Sequence, residues 1–153
     1  MSFRDLFRRK PVYHHPLLGD MKRCTETDWL AQSAHLSLSD LPMDVWLAGD
    51  ASAPSTTASE ALMRLLEDPS HLKALIQGHL FELWQNYFSE SEPPDKLESA
   101  EAIWGTGTWI SLDVTDEENL SATFTFSWQA EQDDHLVTVY IEDGAVAGSS
   151  IDG

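Results

Sequence analysis

Short alternating apolar stretches toward both ends of the chain, with two helical patterns between them, predict an α+β domain. The expected arrangement is an antiparallel sheet of two meanders, N-terminal and C-terminal, packed on a central helix pair. Three observations carry this reading. Residues 68–88, DPSHLKALIQGHLFELWQNYF, place Leu72, Leu75, Ile76, Leu80, Leu83, Trp84, Tyr87 and Phe88 at spacings of three and four, the stripe of a core helix. Met43, Val45 and Leu47 alternate with Asp44 and Trp46, the period of a half-buried strand. Glu142-Asp143-Gly144 sits between two alternating runs and is a hairpin signal. With 153 residues, 42% of them hydrophobic, the chain has material for one core and one domain.

Taken in order, residues 1–14 read as a basic N-terminal arm and 15–153 as the single α+β domain. The arm begins MSFRDLFRRK, with Phe3, Leu6 and Phe7 on one helical face, and is expected to fray or to lie back on an oppositely charged body. In VYHHPLLGDMKRC the stretch around His14 and His15 then reads as surface loop, followed by short strands over 20–24, 28–32, 34–39 and 43–48. Asp40-Leu41-Pro42 supplies a turn. Gly49 to Thr56 is a Gly/Ala/Ser/Pro connector, and Thr57 to Glu60 has capping-box spacing, which starts a first helix over about 57–67. Asp68 as N-cap and Pro69 in the first turn mark the start of the central helix. A third helix is expected over about 95–104, closed by Gly105 and Gly107, followed by strands over 108–115, 120–128, 135–141 and 145–150. In the last meander Ile110, Leu112 and Val114 share one face, as do Ala122, Phe124, Phe126 and Trp128.

Charge is the most unusual global property. The net charge is −17, and it is unevenly spread. Residues 1–23 carry six Lys and Arg against two Asp, a net +4; the remainder carries only Arg64, Lys73 and Lys96 against 24 acids, a net −21. Such a field repels nucleic acid and anionic membrane and steers a basic partner toward the body. Excess acid also serves solubility alone. A single cysteine, Cys24, leaves no internal disulfide, no apolar run approaches the roughly 18 residues of a membrane span, and the N-terminus has no signal-peptide core. The expected setting is the cytoplasm.

No residue pattern points to a reaction. P-loop, dinucleotide and zinc-protease motifs are missing, and Gly105-Thr106-Gly107 precedes a strand rather than a helix. His14 and His15 are adjacent but have no further ligands at metal spacing. His79 and Glu82 lie three apart on the central helix, where a packed, hydrogen-bonded histidine is the commoner outcome than a metal ligand. Cys24 has no base and no orienting group marked around it. The loop Asp116 to Asn119 lacks calcium-loop spacing and reads as a hairpin turn. Neither a catalytic set nor a metal or cofactor is expected.

Trp128 followed by an acidic bend, then His135 opening a strand that runs to Asp143-Gly144, resembles the closing strands of an uncharacterised family of small acidic bacterial α+β domains. His15-Pro-Leu-Leu-Gly-Asp20 with Trp29 resembles the opening of these domains, and Trp84-x-x-Tyr87 their middle, so the resemblance touches most of the chain from about residue 15. The chain departs from some members in having no glycine after His135. Domains of this kind are similar to the immunity proteins of secreted, polymorphic toxin systems. The resemblance implies a non-catalytic protein that binds and neutralises a basic toxin domain, with no nucleic acid and no membrane insertion. Its binding surface should combine carboxylates with aromatic anchors. Strand alternation places Trp46 and Trp109 opposite their strands' apolar faces, beside Asp44, Asp113, Glu117, Glu118, Asp133 and Asp134, and these residues are the expected partner-binding set. The other arrangement is that both Trp cover a second buried face. The alternative function is an accessory, adaptor or ligand-binding domain whose acidity serves only solubility.

Overall fold

The computed structural model describes residues 11–39, 42–87, 97–115, 122–129 and 134–152. The chain is α+β. One sheet of eight strands runs β1 Val12–His15, β2 Gly19–Arg23, β3 Asp28–Ala34, β4 Met43–Ala48, β5 Gly107–Val114, β6 Ala122–Gln129, β7 Asp134–Glu142 and β8 Ala145–Asp152, hydrogen-bonded in chain order. All neighbours are antiparallel except β4 and β5, which pair in parallel from Asp44↔Ser111 to Leu47↔Val114. Parallel neighbours need a long crossover. Here it contains α1 Thr56–Leu65, α2 Pro69–Tyr87 and a 3-10 helix Ala100–Thr106.

The helices are not laid on the sheet as a simple pair. α1 lies against β4 and β5, whereas α2 lies against the 3-10 helix and β8. The core forms between these helices and one face of the sheet: Leu62 of α1, Leu72, Ile76, Leu80 and Trp84 of α2, and Ile103 of the 3-10 helix join Trp29, Val45, Leu47, Leu112, Phe124, Phe126, Trp128, Val137 and Val139. The buried positions of α2 follow the stripe in its sequence, and its start is as expected, with Asp68 Oδ1 accepting from His71 N at 3.1 Å. Tyr87, at the far end of the stripe, is 45% exposed.

Several local expectations are corrected. The stretch read as surface loop around His14 and His15 contains β1, which pairs with β2 from Val12↔Lys22 to His15↔Gly19. The sheet therefore begins inside the segment expected to be the arm; residues 1–10 lie outside the described residues. Residues 34–39 do not form their own strand. Ala34 ends β3, after a bulge in which Ser33 takes φ 53°, and Leu36 and Leu38 are buried from a turn instead. The first helix is capped by Ser55, whose Oγ accepts from Ala58 N at 3.2 Å, and not by Thr57. Ser55 N also donates to Ala48 O at 2.7 Å, which closes the 49–55 loop and launches the helix earlier than the capping-box spacing suggests. The third helix is a 3-10 helix that starts five residues later than expected.

The largest correction is in β5. A register shift against β6 falls between Trp109 and Ser111, so one extra residue enters the strand there. A bulge of this kind reverses the alternation. Trp109 consequently joins Leu112 and Val114 on the core face at 9% exposure, and Ile110 turns outward at 44%. Trp109 stacks on Trp104 with ring centroids 5.1 Å apart and meets Phe124 and Phe126 edge-on. At the start of the same strand Gly107 lies so close to the Ser127 backbone that any Cβ would collide with it. In the β7–β8 turn Asp143 and Gly144 both take positive φ, 50° and 74°, as a two-residue hairpin of primed type requires.

Leu80 is fully buried on α2, whereas Gly78, on the same helix, is exposed with open space where a Cβ would stand. Denaturant unfolding should show Leu80→Ala losing about 2–5 kcal/mol. Gly78→Ala should gain about 1 kcal/mol from helix propensity.

Candidate interaction face

The three helices among the described residues occupy the β4-to-β5 crossover, and the core forms on one face of the sheet. The residues that alternate with the core positions make up the other face. A single register row crosses all eight strands there: Val12, Lys22, Leu30, Trp46, Asp113, Thr123, Tyr140 and Gly148. The next row runs Asp44, Ser111, Thr125, Thr138 and Ser150. Trp46 and Leu30 are half-buried by their neighbours, and Ile110, Leu136 and Tyr140 are exposed. The face thus mixes aromatic and aliphatic side chains with hydroxyls and carboxylates.

The expected site residues divide three ways. Asp44, Trp46 and Asp113 come together on this face, with Trp46 the register partner of Asp113 and Asp44 two residues before Trp46. Trp109 does not belong with them, because the β5 bulge carries it into the core. Glu117, Glu118 and Asp133 lie outside the described residues, and of Asp134 only the backbone is described, paired with Gln129 at the start of β7.

Asp44 also has a local task. Its Oδ1 accepts the Ser33 N–H at 2.9 Å, satisfying the backbone where β3 bulges. Asp113 accepts from Ser111 Oγ at 3.1 Å. Burial within the sheet pushes the Asp113 carboxyl above its ordinary value; the Ser111 hydrogen bond pulls the other way, and the negative charge of Asp28 adds to the rise. Asp28, on the same side of the sheet, was not foreseen as part of the site. Its contribution arises from the β3–β4–β5 register, which no local pattern reveals. Among the described residues the one ion pair is His14 with Asp20, at the β1 edge, so Asp28, Asp44 and Asp113 have no Lys or Arg partner there. Beyond Lys96 the sequence contains no Lys or Arg at all, so β5 to β8 contain carboxylates and no cation of their own.

Other chemistry-bearing residues are placed as follows. His15 is buried at 4% exposure; Leu17 N and Leu18 N donate to its Nδ1 at 3.1 and 3.2 Å, and its Nε2 lies 3.2 Å from Ser59 Oγ. With Nδ1 accepting, the proton sits on Nε2 and is donated to Ser59, the wrong polarity for activating a serine as a nucleophile. This contact ties the β1–β2 hairpin to α1. Cys24 is exposed. His79 is half-buried with Nε2 lacking a hydrogen-bond partner, and Glu82 is exposed. No group of three or more His, Cys, Asp or Glu among the described residues is placed to hold a metal ion, and none of the described helices is long and apolar enough to cross a membrane.

No family model, curated protein or solved structure matches the chain.

Two pH effects follow. The unfolded Asp113 carboxyl titrates near 3.8 and the folded one higher, so above the folded value its ionisation costs stability. Asp113→Asn should raise the thermal midpoint near neutral pH, with the gain shrinking as pH falls toward 3.8. Burial lowers the His15 pKa from 6.5, so its neutral form contributes stability that is fully present above 6.5 and lost as pH falls through the folded value. The decline of the midpoint below pH 6.5 should be shallower in His15→Gln than in the parent chain.

Proposed function

We propose that this chain is a non-catalytic, immunity-type protein of the cytoplasm that binds and neutralises a basic toxin domain through its acidic open sheet face. One observation carries the reading. Asp28, Asp44 and Asp113 surround Trp46 on a face away from the helices, and among the described residues no Lys or Arg is paired with them. Asp113 is held on that face at a cost, since burial and Asp28 both oppose its ionisation. A cation arriving from a partner relieves that cost, so the surface is better matched to a basic protein than to water. Trp46 supplies the anchor and the carboxylates supply the steering.

The test is association kinetics with the basic C-terminal domain of a secreted protein encoded beside this one. The double variant Asp44→Asn/Asp113→Asn keeps an oxygen acceptor for Ser33 while removing two charges. It should associate about tenfold more slowly at low salt, and the difference should vanish near 1 M salt, where the Debye length is about 3 Å. Equal rates for the parent and the double variant at low salt would leave the acidity as a solubility device.

A further inference from the structure

The two edges of the sheet are built differently. β1 is four residues long, lies between Pro11 and Pro16, and adjoins β2 with its Lys22 and Arg23. Its shortness, its flanking prolines and its neighbouring cations are the devices that keep an edge from recruiting further strands. β8 has none of them. It is eight residues long, AVAGSSID, without Pro, Lys or Arg, and Asp152 at its end is its only charge. One side of β8 pairs with β7 from Leu136↔Asp152 to Glu142↔Ala145. Among the described residues, no backbone hydrogen bond reaches Ala145–Asp152 from anywhere else. A bulge at Ala147, between the Tyr140↔Gly148 and Ile141↔Val146 pairs, interrupts β8, so its regular part is Gly148–Asp152; an open main-chain ladder there is a template for one more strand.

The charge around the edge selects its occupant. β7, β8 and their turn contain Asp134, Glu142, Asp143 and Asp152 and no Lys or Arg. Antiparallel pairing of β8 with β8 of a second copy would bring Asp152 of each copy toward the acidic turn of the other, so self-pairing meets like charge at both ends. Pairing with β1 of a second copy would be limited by that strand's four residues. The row across the open face adds a specific feature. Tyr140 is opposite Gly148, Tyr140 is 39% exposed, and no atom stands within 4 Å of where a Gly148 Cβ would be. A side chain on an added strand beside Gly148 can therefore reach across to the Tyr140 ring, a favourable seat for Lys or Arg.

We infer that β8 is the edge at which a basic partner adds an extended strand, with main-chain bonds to β8 supplying affinity and a Lys or Arg over Tyr140 supplying selectivity. This rests on the proposed preference for a basic partner and adds where and how that partner is held.

The probe is an alternating Val-Lys octapeptide, with a Val-Glu octapeptide as control, read by amide hydrogen exchange of the full chain and by binding titration. Ser149→Pro and Ser150→Pro are made separately. Adjacent residues of a strand point their N–H groups to opposite sides, so one variant breaks the β7 ladder and melts lower, while the other blocks only the outer edge. The variant that keeps the parent's thermal midpoint is the edge-blocked protein. The Val-Lys peptide should slow exchange of alternate β8 amides at least about tenfold, the Val-Glu peptide should not, and the edge-blocked variant should bind Val-Lys at least about tenfold more weakly. Charge-dependent binding that leaves β8 exchange unchanged, or that survives in the edge-blocked variant, overturns the edge inference while the acidic-face reading stands. Equal binding of the two peptides overturns both. Concentration-dependent dimerisation of the parent chain that disappears in the edge-blocked variant assigns the edge to a second copy and overturns the basic-strand occupant.

Discussion

The parallel seam between β4 and β5 is the constraint on which the rest of the structure depends. Every other pair of neighbours in the sheet is antiparallel and consecutive, and a short turn suffices to join such strands. At the seam the chain must leave the end of β4 and return to the start of β5, and it uses the intervening 58 residues, 49–106, to do so. Both α-helices and the 3-10 helix are part of that return. The core therefore gathers on one face of the sheet, with Val45, Leu47, Leu112 and Val114 at the centre of the covered side. The same return path leaves Trp46 and Asp113, the register partners between them, on the other side.

This arrangement explains why strongly apolar and strongly acidic residues can sit next to each other in the chain without conflict. Val45 and Leu47 are fully buried, whereas Asp44 and Trp46 are half-exposed on the reverse. The sheet acts as a partition, with packing energy on one side and charge on the other. Asp44 belongs to both, because the carboxylate that faces outward also satisfies the Ser33 N–H at the β3 bulge. Its charge can be changed to an amide while that contact is kept, which separates the two roles.

Periodic elements were legible from the residues, and irregular ones were not. The stripe of α2, its Asp68 cap, the alternation in β4 and β6, and the Asp143-Gly144 turn each have a local physical signature, and each stands where its signature places it. Trp109 shows what is lost. Simple alternation puts it outside with respect to Leu112 and Val114, but a bulge is a property of two strands, and the residues of β5 alone do not announce it. His15 is similar: its burial depends on Ser59, 44 residues away, and an adjacent His pair flanked by Pro reads locally as loop. The carboxylate Asp28 enters the candidate face for the same kind of reason, through strand register and not through any nearby motif.

Chain order and spatial order coincide across the sheet, so β1 and β8 stand at opposite edges. Seven interstrand spacings of about 4.8 Å separate them, roughly 34 Å measured along the hydrogen-bond direction. Tension applied between the two ends of the chain therefore acts on the outermost strands first and peels them from the sheet one at a time, loading few hydrogen bonds at any moment. Among the strand pairings, those within each antiparallel half are local in sequence and only the β4–β5 seam joins distant strands, so on refolding the two halves can organise early and the seam closes the sheet. Mechanical weakness at the edges and a single long-range closure at the centre are both consequences of one strand order.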